Sequence, residues 1–490
     1  MAISKRQAIN MTSGPLFRNI LSYTIPIILT GLLQLFFNAA DLIVVGQFCG
    51  SISVAAVGAT GAITNLIVNL FIGLSVGTGV VVAQAMGAGD YKKAYRAVHT
   101  AIPTALAGGV VLTVVGIAFS ETFLKLMSTP ENVLPLSSLY MKIYFMGIIF
   151  MMIYNFCASI LRAAGDTKSP LVFLTVAGAV NVVLNVFFIL VFNMNVAGVA
   201  LATTISQGVS AVLVVISLAK RSDACQLHFS QLKFYKDELL GIIKIGLPAG
   251  IQSSLFSVSN VIIQSSINSF GEVLMSGNAA ALNIEGFIFV SLNAFHQTAL
   301  NFTGQNVGAN QYRRAKKVLL MCLGCVLAIS TVVSTSVYLS SSSLLKIYLP
   351  DSPEAVSYGI LRIKYLFLSY CLLGMMDVST GALRGMGVSL APMIISVLGV
   401  CGIRIGWIYT IFQIPQFHMV IPFLHSLLGC NLCCSVNRIF HCIWEEKEAL
   451  GKMTLTKYLL FYFTDDRSEN KSVHFFVIYI KAASISRELL

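Results

Sequence analysis

Long apolar segments alternate with short polar connections along most of the chain. A membrane-spanning helix needs about 20 consecutive, mostly apolar residues, and eleven segments reach that length while a twelfth has a weaker pattern. Because a helix satisfies its own backbone hydrogen bonds in lipid, we expect each segment to be a transmembrane helix. The predicted spans are Ile20–Val45, Val54–Val82, Ala94–Phe119, Leu139–Leu161, Leu171–Phe192, Val196–Leu218, Leu239–Ser265, Ala279–Phe302, Val318–Leu339, Ile360–Leu383, Met393–Phe412 and, with the weaker pattern, Met419–Val436.

The composition excludes most soluble classes. Of the 490 residues, 56% are hydrophobic and 11% are charged, whereas an average soluble domain has about 25% charged residues. A soluble enzyme, a coiled coil and a disordered scaffold are therefore excluded. The first 19 residues lack the apolar core of a signal peptide. Most of the eleven cysteines lie inside apolar segments, where cysteine behaves as a small hydrophobic residue.

Lysine and arginine are distributed unevenly among the connections. The N-terminus and every second connection carry eighteen of them, whereas the alternate connections and nearby helix ends carry five. Short connections rich in lysine and arginine stay on the cytoplasmic side of a membrane. The pattern therefore predicts a multi-pass protein of the cell (plasma) membrane with both termini in the cytoplasm.

The second half of the chain repeats the first, with Pro248 following Pro26 by 222 residues. Six helices per repeat give both halves the same orientation, an arrangement found in alternating-access transporters. The sequence predicts an all-α membrane protein with twelve transmembrane helices in two pseudo-twofold lobes of six. The predicted parts are an N-terminal lobe at 1–219, a cytoplasmic linker at 220–238, a second lobe at 239–437 and a divergent cytoplasmic tail at 438–490.

Three acidic residues, Asp41, Glu285 and Asp377, fall well inside the predicted spans. A charge at the centre of a membrane helix costs at least about 2.5–3.5 kcal/mol, so such residues usually face a cavity or a partner. Gln34 and Asn38 precede Asp41 on nearly the same helical face. We therefore expect Gln34, Asn38, Glu285 and Asp377 to line a substrate cavity.

Polar residues of two other spans can complete a site around Asp41. Asn181 and Asn185 are four residues apart and share one face of the fifth span. Thr203 lies near the start of the sixth span. If the three helices pack together, these side chains surround one carboxylate with oxygen ligands suited to Na⁺ or H⁺. The competing interpretation is a set of interhelical hydrogen bonds without ion binding.

The motifs of the first half resemble the multidrug and toxic compound extrusion (MATE) family, in particular its prokaryotic members. The resemblance runs from about residue 14 to about residue 413. It implies a twelve-helix antiporter, not an enzyme, that expels cationic or amphipathic compounds in exchange for Na⁺ or H⁺. The motifs are Gly14-Pro-Leu-Phe17, Asp41-Leu-Ile-Val-Val-Gly46, Gln84-x-x-Gly-Ala-Gly-Asp90, Leu161-Arg-Ala-x-Gly-Asp166 and Gly198-Val-Ala-Leu-Ala-Thr203.

The resemblance also implies a coupling site at Asp41, Asn181, Asn185 and Thr203. This sequence has Asn185 where the family pattern has aspartate. The missing charge weakens the case for Na⁺ and favours H⁺ on Asp41, and both ions stay open. We expect no cofactor besides the coupling ion, no metal site, no nucleic-acid partner and a monomer in the bilayer.

The second lobe carries Arg404 close to the position that corresponds to Asn181. Arginine keeps its proton and needs a partner inside a membrane. We predict a structural ion pair between Arg404 and either Glu285 or Asp377, with the other acid left to the cavity. Glu285 is the preferred contact for a cationic substrate.

Two other functions compete with drug export. A flippase for lipid-linked saccharides shares the two-lobe plan but needs a strongly cationic cavity, and three acids against Arg404 favour cationic substrates. A membrane-embedded enzyme needs a reactive constellation, which the sequence lacks. No Gly-x-x-x-x-Gly-Lys-Ser/Thr motif occurs, so an ion gradient is the expected energy source.

Overall fold

The computed structural model describes residues 8–406 except 128, 269–270, 351, 367–368 and 403. This part of the chain consists of helices and their connections and contains no β-strand. The predicted twelfth span, Met419–Val436, and the predicted tail at 438–490 lie outside the described residues. The first six helices are α1 Leu16–Cys49, α2 Ser51–Gly87, α3 Tyr91–Leu126, α4 Leu134–Ala163, α5 Lys168–Leu190 and α6 Asn195–Ala219.

The second half follows the same order. Nine helices of the described part, α1 to α9, are long and apolar enough to cross a membrane. The predicted tenth span, Ile360–Leu383, is covered by two helices, and the start of the eleventh by a short helix that continues into a π-helical turn at Val397–Gly402. These helices are α7 Lys236–Asn268, α8 Glu272–Gly308, α9 Tyr312–Tyr348, α10 Pro353–Leu366, α11 Ser369–Gly385 and α12 Leu390–Ser396. The predicted all-helical membrane fold is confirmed.

Glycines allow the two lobes to pack closely along α2 and α7. A Cβ atom at Gly73 would lie 2.2 Å from the backbone nitrogen of Gly250, and one at Gly77 would lie 2.3 Å from the Ile242 carbonyl oxygen. Small residues four apart are the usual means by which membrane helices approach backbone to backbone. Gly246 and Gly250 supply the same spacing on α7. The first and second lobes therefore meet along this helix pair.

A pair of glutamines joins the lobes at the basic end, by which we mean the end of the bundle where α2, α4, α6 and α8 terminate. Gln84 Nε2 donates to the Gly385 carbonyl oxygen across 2.8 Å. Its counterpart in the repeat, Gln305, donates from Nε2 to the Ala163 carbonyl oxygen across 2.7 Å. Each glutamine thus caps the last turn of a helix in the opposite lobe, and the two lobes are in contact at this end.

Replacing both Gln84 and Gln305 with alanine should favour opening at the basic end, because two carbonyl groups between the lobes lose their hydrogen-bond donors. Each such bond contributes about 1 kcal/mol, so the equilibrium between closed and open states should shift about tenfold or more. Labelling of a cysteine introduced at Ala88 by a membrane-impermeant maleimide reports the opening. Gln231→Ala, an exposed glutamine of the linker, is the matched control. Unchanged labelling of the double variant would contradict a role for the glutamine pair in closure.

Candidate ion-coupling and substrate site

Four predicted residues form one hydrogen-bonded chain in the first lobe, here called the first-lobe cluster: Asp41, Asn185, Asn181 and Thr203. Asn185 Nδ2 donates to Asp41 Oδ1 across 2.5 Å and also lies 3.3 Å from Asn181 Oδ1. Asn181 Nδ2 donates to Thr203 Oγ1 across 3.4 Å. The cluster therefore joins α1, α5 and α6, as the sequence predicted.

Close packing of α1 on α5 brings Asp41 to the asparagines. A Cβ atom at Gly178 would lie 1.8 Å from the Phe37 ring, so only glycine leaves room for that ring. Asn181 and Asn185 are 5% and 1% exposed. The one-turn spacing of these asparagines points both of them at α1 and α6.

One oxygen of the first-lobe cluster has no partner. Asn185 Oδ1 is buried and accepts no hydrogen bond from the described residues. Buried polar atoms are nearly always satisfied, so an orphaned oxygen needs a physical explanation. Hard cations prefer oxygen ligands. The Asn185 oxygen could serve as one such ligand together with the side-chain oxygens of Asp41, Asn181 and Thr203. The donor set fits Na⁺, and the carboxylate alone fits H⁺.

Gln34 and Asn38 lie on α1 next to the stripe that contacts the second lobe. Leu35, on that stripe, packs near Gly286, and a Cβ atom at Gly31 would lie 2.6 Å from Val290 on α8. Gln34 and Asn38 are exposed and lie one residue before and three residues after Leu35. Their placement is compatible with the predicted substrate cavity between the lobes.

Glu285 is paired with Arg362, which corrects the expectation for the second lobe. Arg362 Nε lies 2.7 Å from Glu285 Oε1, and Nη2 lies 2.9 Å from Oε2. Arg362 Nη1 donates to Asn278 Oδ1 across 2.7 Å. Glu285 is 3% exposed, and this bidentate contact neutralises it. It is therefore no free negative charge for a cationic substrate.

Arg404 contacts an amide rather than the predicted carboxylate. Its Nη1 lies 3.3 Å from Asn260 Oδ1 on α7. The predicted pair between Arg404 and Glu285 is wrong, because α10 packs on α8 and brings Arg362 to that carboxylate first. No ion pair between Arg404 and Asp377 occurs within the described ranges.

Asp377 belongs to a second polar cluster, with Arg384, His296 and Gln252. Arg384 is 6% exposed and donates from Nη2 to Gln252 Oε1 across 2.8 Å. His296 Nδ1 lies 2.7 Å from the Asp377 carbonyl oxygen. Arg384 is the cation that acts electrostatically on the Asp377 carboxyl group. The Asp377 carboxyl group itself forms no ion pair within the described part of the chain.

The sequence did not reveal Arg362 and Arg384 as interior cations, because both were assigned to the connections and nearby helix ends. In the structure, α10 begins at Pro353 and α11 ends at Gly385, so both arginines lie within helices. Arg362, Arg384 and Arg404 therefore place three cationic side chains on helical residues of the second lobe. A signal was available for Asn260, which follows Asn38 by 222 residues, the offset of the repeat.

The model of the MatE family matches the chain twice, at residues 26–187 and again at 248–410. The chain is 27% identical over 393 residues to the probable multidrug resistance protein YpnP of Bacillus subtilis (strain 168), covering 80% of this chain and 87% of that protein. It is 22% identical over 387 residues to the multidrug export protein MepA of Staphylococcus aureus (strain MSSA476), with coverages of 79% and 85%.

A solved structure has the same fold. It is a MOP superfamily transporter from Pyrococcus furiosus whose reverse binding-pocket polarity suggests a different function, with a TM-score of 0.84, 19% identity and coverage of 90% of this chain and 99% of that chain. The two family-model matches begin 222 residues apart, as the internal repeat requires. The resemblance found in the sequence is thereby confirmed, and the chain belongs to the MatE family of multidrug and toxic compound extrusion transporters.

Proposed function

We propose that this protein is a secondary active antiporter that exports amphipathic organic compounds, including cationic ones, in exchange for H⁺ or Na⁺. The observation that carries the proposal is the first-lobe cluster, which holds one intramembrane carboxylate, Asp41, against two buried amides. A carboxylate placed in a membrane at such cost is best explained by a function that uses its charge.

The exchange follows from the charge of Asp41. When H⁺ or Na⁺ occupies the first-lobe cluster, Asp41 is neutralised, and when the ion leaves, Asp41 binds Asn185 again as a carboxylate. A conformational change that is favourable in only one of these states links ion entry to substrate exit. One charge moving through 100 mV supplies about 2.3 kcal/mol, enough for a concentration ratio of about fifty at 1.36 kcal/mol per decade.

Contacts between the lobes support alternating access. From Gly87 at the basic end to Asn69, successive residues of α2 approach the second lobe, and Asn69 Nδ2 donates to Ser257 Oγ across 3.2 Å. The closed basic end agrees with a transporter that opens to one side at a time. In the state that is open at the basic end, these contacts between α2 and the second lobe have to separate.

The balance of charges in the second lobe differs from the one that the sequence suggested, because Arg362 neutralises Glu285 and because Arg384 and Arg404 add two further cations on helical residues. This balance removes the argument that favoured cations over acidic substrates. It also favours keeping the lipid-linked saccharide flippase as a second candidate, since that function needs cationic side chains in the cavity. The relatives named for multidrug resistance and export favour drug export.

Uptake of a fluorescent cation into everted membrane vesicles tests the proposal. With an imposed H⁺ or Na⁺ gradient, vesicles that contain the protein should accumulate rhodamine 123, and collapsing the driving gradient should release it. Vesicles without the protein are the control. Uptake that equals this control and does not depend on the gradient would contradict drug export. If the protein also moves a labelled lipid-linked saccharide across the bilayer, the flippase function is supported instead.

A further inference from the structure

The linker between the two lobes is bonded through its backbone to the start of α3. The N–H of His228 donates to His99 Nε2 across 3.0 Å, and the N–H of Lys233 donates to the His99 carbonyl oxygen across 3.4 Å. The N–H of Tyr235 donates to Thr100 Oγ1 across 3.2 Å. These three hydrogen bonds, here called the linker clamp, fix the path of the linker on the first lobe.

The linker clamp ties the beginning of α7 to α3. Tyr235 directly precedes α7, which starts at Lys236. The Arg96 guanidinium on α3 lies 5.4 Å from the centroid of the Tyr235 ring, a cation–π contact. Cys225 and Leu227 of the linker are 0% and 2% exposed and pack in the hydrophobic core of the first lobe. The clamp therefore holds the start of the second lobe on the first lobe at the basic end.

His99 has to be neutral when the linker clamp is closed. Its Nδ1 lies 2.8 Å from the Tyr95 carbonyl oxygen, which can only accept a hydrogen bond, so Nδ1 carries the ring proton. Nε2 accepts the N–H of His228 and therefore carries no proton. A second proton, on Nε2, would point at that N–H, and the His99 side chain is fully buried. Protonation of His99 and closure of the clamp therefore exclude each other.

The ionisable groups around His99 come from α3 and the linker. The ring of Tyr95 lies 3.9 Å from the imidazole between centroids, and the exposed ring of His228 stacks on it at 6.2 Å. Among the described residues, His228 is the side chain that acts on His99 electrostatically. The acids that begin α7, Asp237 and Glu238, do not, and neither does a charged side chain of α2 or α4. No described carboxylate therefore stabilises a protonated His99 in the closed clamp.

We propose that the linker clamp is an acid-sensitive latch between the lobes, which releases the linker when His99 takes up a proton from the solution at the basic end, the predicted cytoplasmic side. Release frees the start of α7 from α3 and so favours separation of the lobes at this end. The latch is a regulatory device of the fold, and it does not depend on which compound is exported.

The size of the effect follows from linkage. An imidazole in water titrates at about pH 6.5, and only the released state binds the extra proton. Acid therefore favours release, and the closed clamp prevails above this pH. For a single group of this kind, the ratio of released to closed protein should rise about tenfold between pH 7.5 and pH 5.5.

Hydrogen–deuterium exchange of the full-length protein in detergent, read by mass spectrometry, tests the latch. Peptides covering residues 227–235 report the clamp, and protection is calculated against an unstructured peptide at the same pH. In the wild type, this protection should be about tenfold lower at pH 5.5 than at pH 7.5, while peptides of α4 stay equally protected. His99→Gln can still accept the His228 N–H through its side-chain oxygen but binds no proton in this range, so its protection should not change with pH.

The variant His228→Asn separates the two histidines. It keeps the backbone N–H that His99 accepts and removes only the exposed imidazole, so it should respond to acid like the wild type. Equal protection of the wild type at both pH values, an acid response that persists in His99→Gln, or one that is lost in His228→Asn would each overturn the inference. The first and third outcomes decide it even where the glutamine variant does not fold. All three leave ion-driven export untouched, because the vesicle assay tests export separately.

Discussion

Replacing Asp41 with asparagine should abolish ion-driven accumulation of substrate while the folded protein stays in the membrane. Asparagine has nearly the same shape and can still contact Asn185, which now lies 2.5 Å from Asp41 Oδ1. It cannot take up a proton, and it offers Na⁺ no charge. The accumulation ratio of rhodamine 123 in everted vesicles should therefore fall from about fifty to about one at 100 mV.

The control for this prediction is Glu131→Gln, which removes a carboxylate from an exposed connection and should leave accumulation unchanged. Asp41→Glu keeps the charge but lengthens the side chain beside Asn185, so partial activity is expected. Wild-type accumulation by Asp41→Asn would mean that the first-lobe cluster only holds helices together.

Replacing Arg362 with leucine should strongly destabilise the second lobe. Glu285 is 3% exposed, and both of its oxygens are held by Arg362. Removing one partner of a buried pair leaves an uncompensated charge and typically costs about 3–5 kcal/mol. We expect a clearly lowered Tm of the purified protein in detergent.

The double variant Arg362→Leu with Glu285→Leu distinguishes lost pairing from lost packing. It should recover most of the stability, because replacing both members of a buried pair by apolar groups is often neutral. Lys364→Leu, at an exposed position two residues along α10, should have little effect. A double variant as unstable as the single one would show that the pair itself does not decide stability.

Much of the fold was predictable because lipid imposes simple rules. Spans need length and apolarity, and the repeat offset places equivalent helices in both lobes, which the two family-model matches confirm. The first-lobe cluster was predictable because Asn181 and Asn185 are one turn apart on one helical face, and because the resemblance to the family implied a coupling site at these two residues, Asp41 and Thr203.

The hydrophobic periodicity of the sequence could not predict which arginine of the second lobe pairs with Glu285. Arg362 lies only two residues inside the predicted boundary at Ile360, where a long cationic side chain usually extends to the membrane surface. Only the packing of α10 on α8 shows that it turns inward to Glu285. Arg384 was assigned to a connection for the same reason, whereas it lies in the last turn of α11 and donates a hydrogen bond to Gln252.

Simultaneous measurement of dye and ion movement in proteoliposomes tests coupling at Asp41 most directly. Purified protein is reconstituted with rhodamine 123 on one side, and the opposing flux is followed with a pH-sensitive dye for H⁺ and with radioactive sodium for Na⁺. We predict that dye movement by the wild type drives one of these ions in the opposite direction, and that Asp41→Asn shows no such flux. Equal dye movement by both proteins with no counter-flow of either ion would contradict ion-coupled antiport.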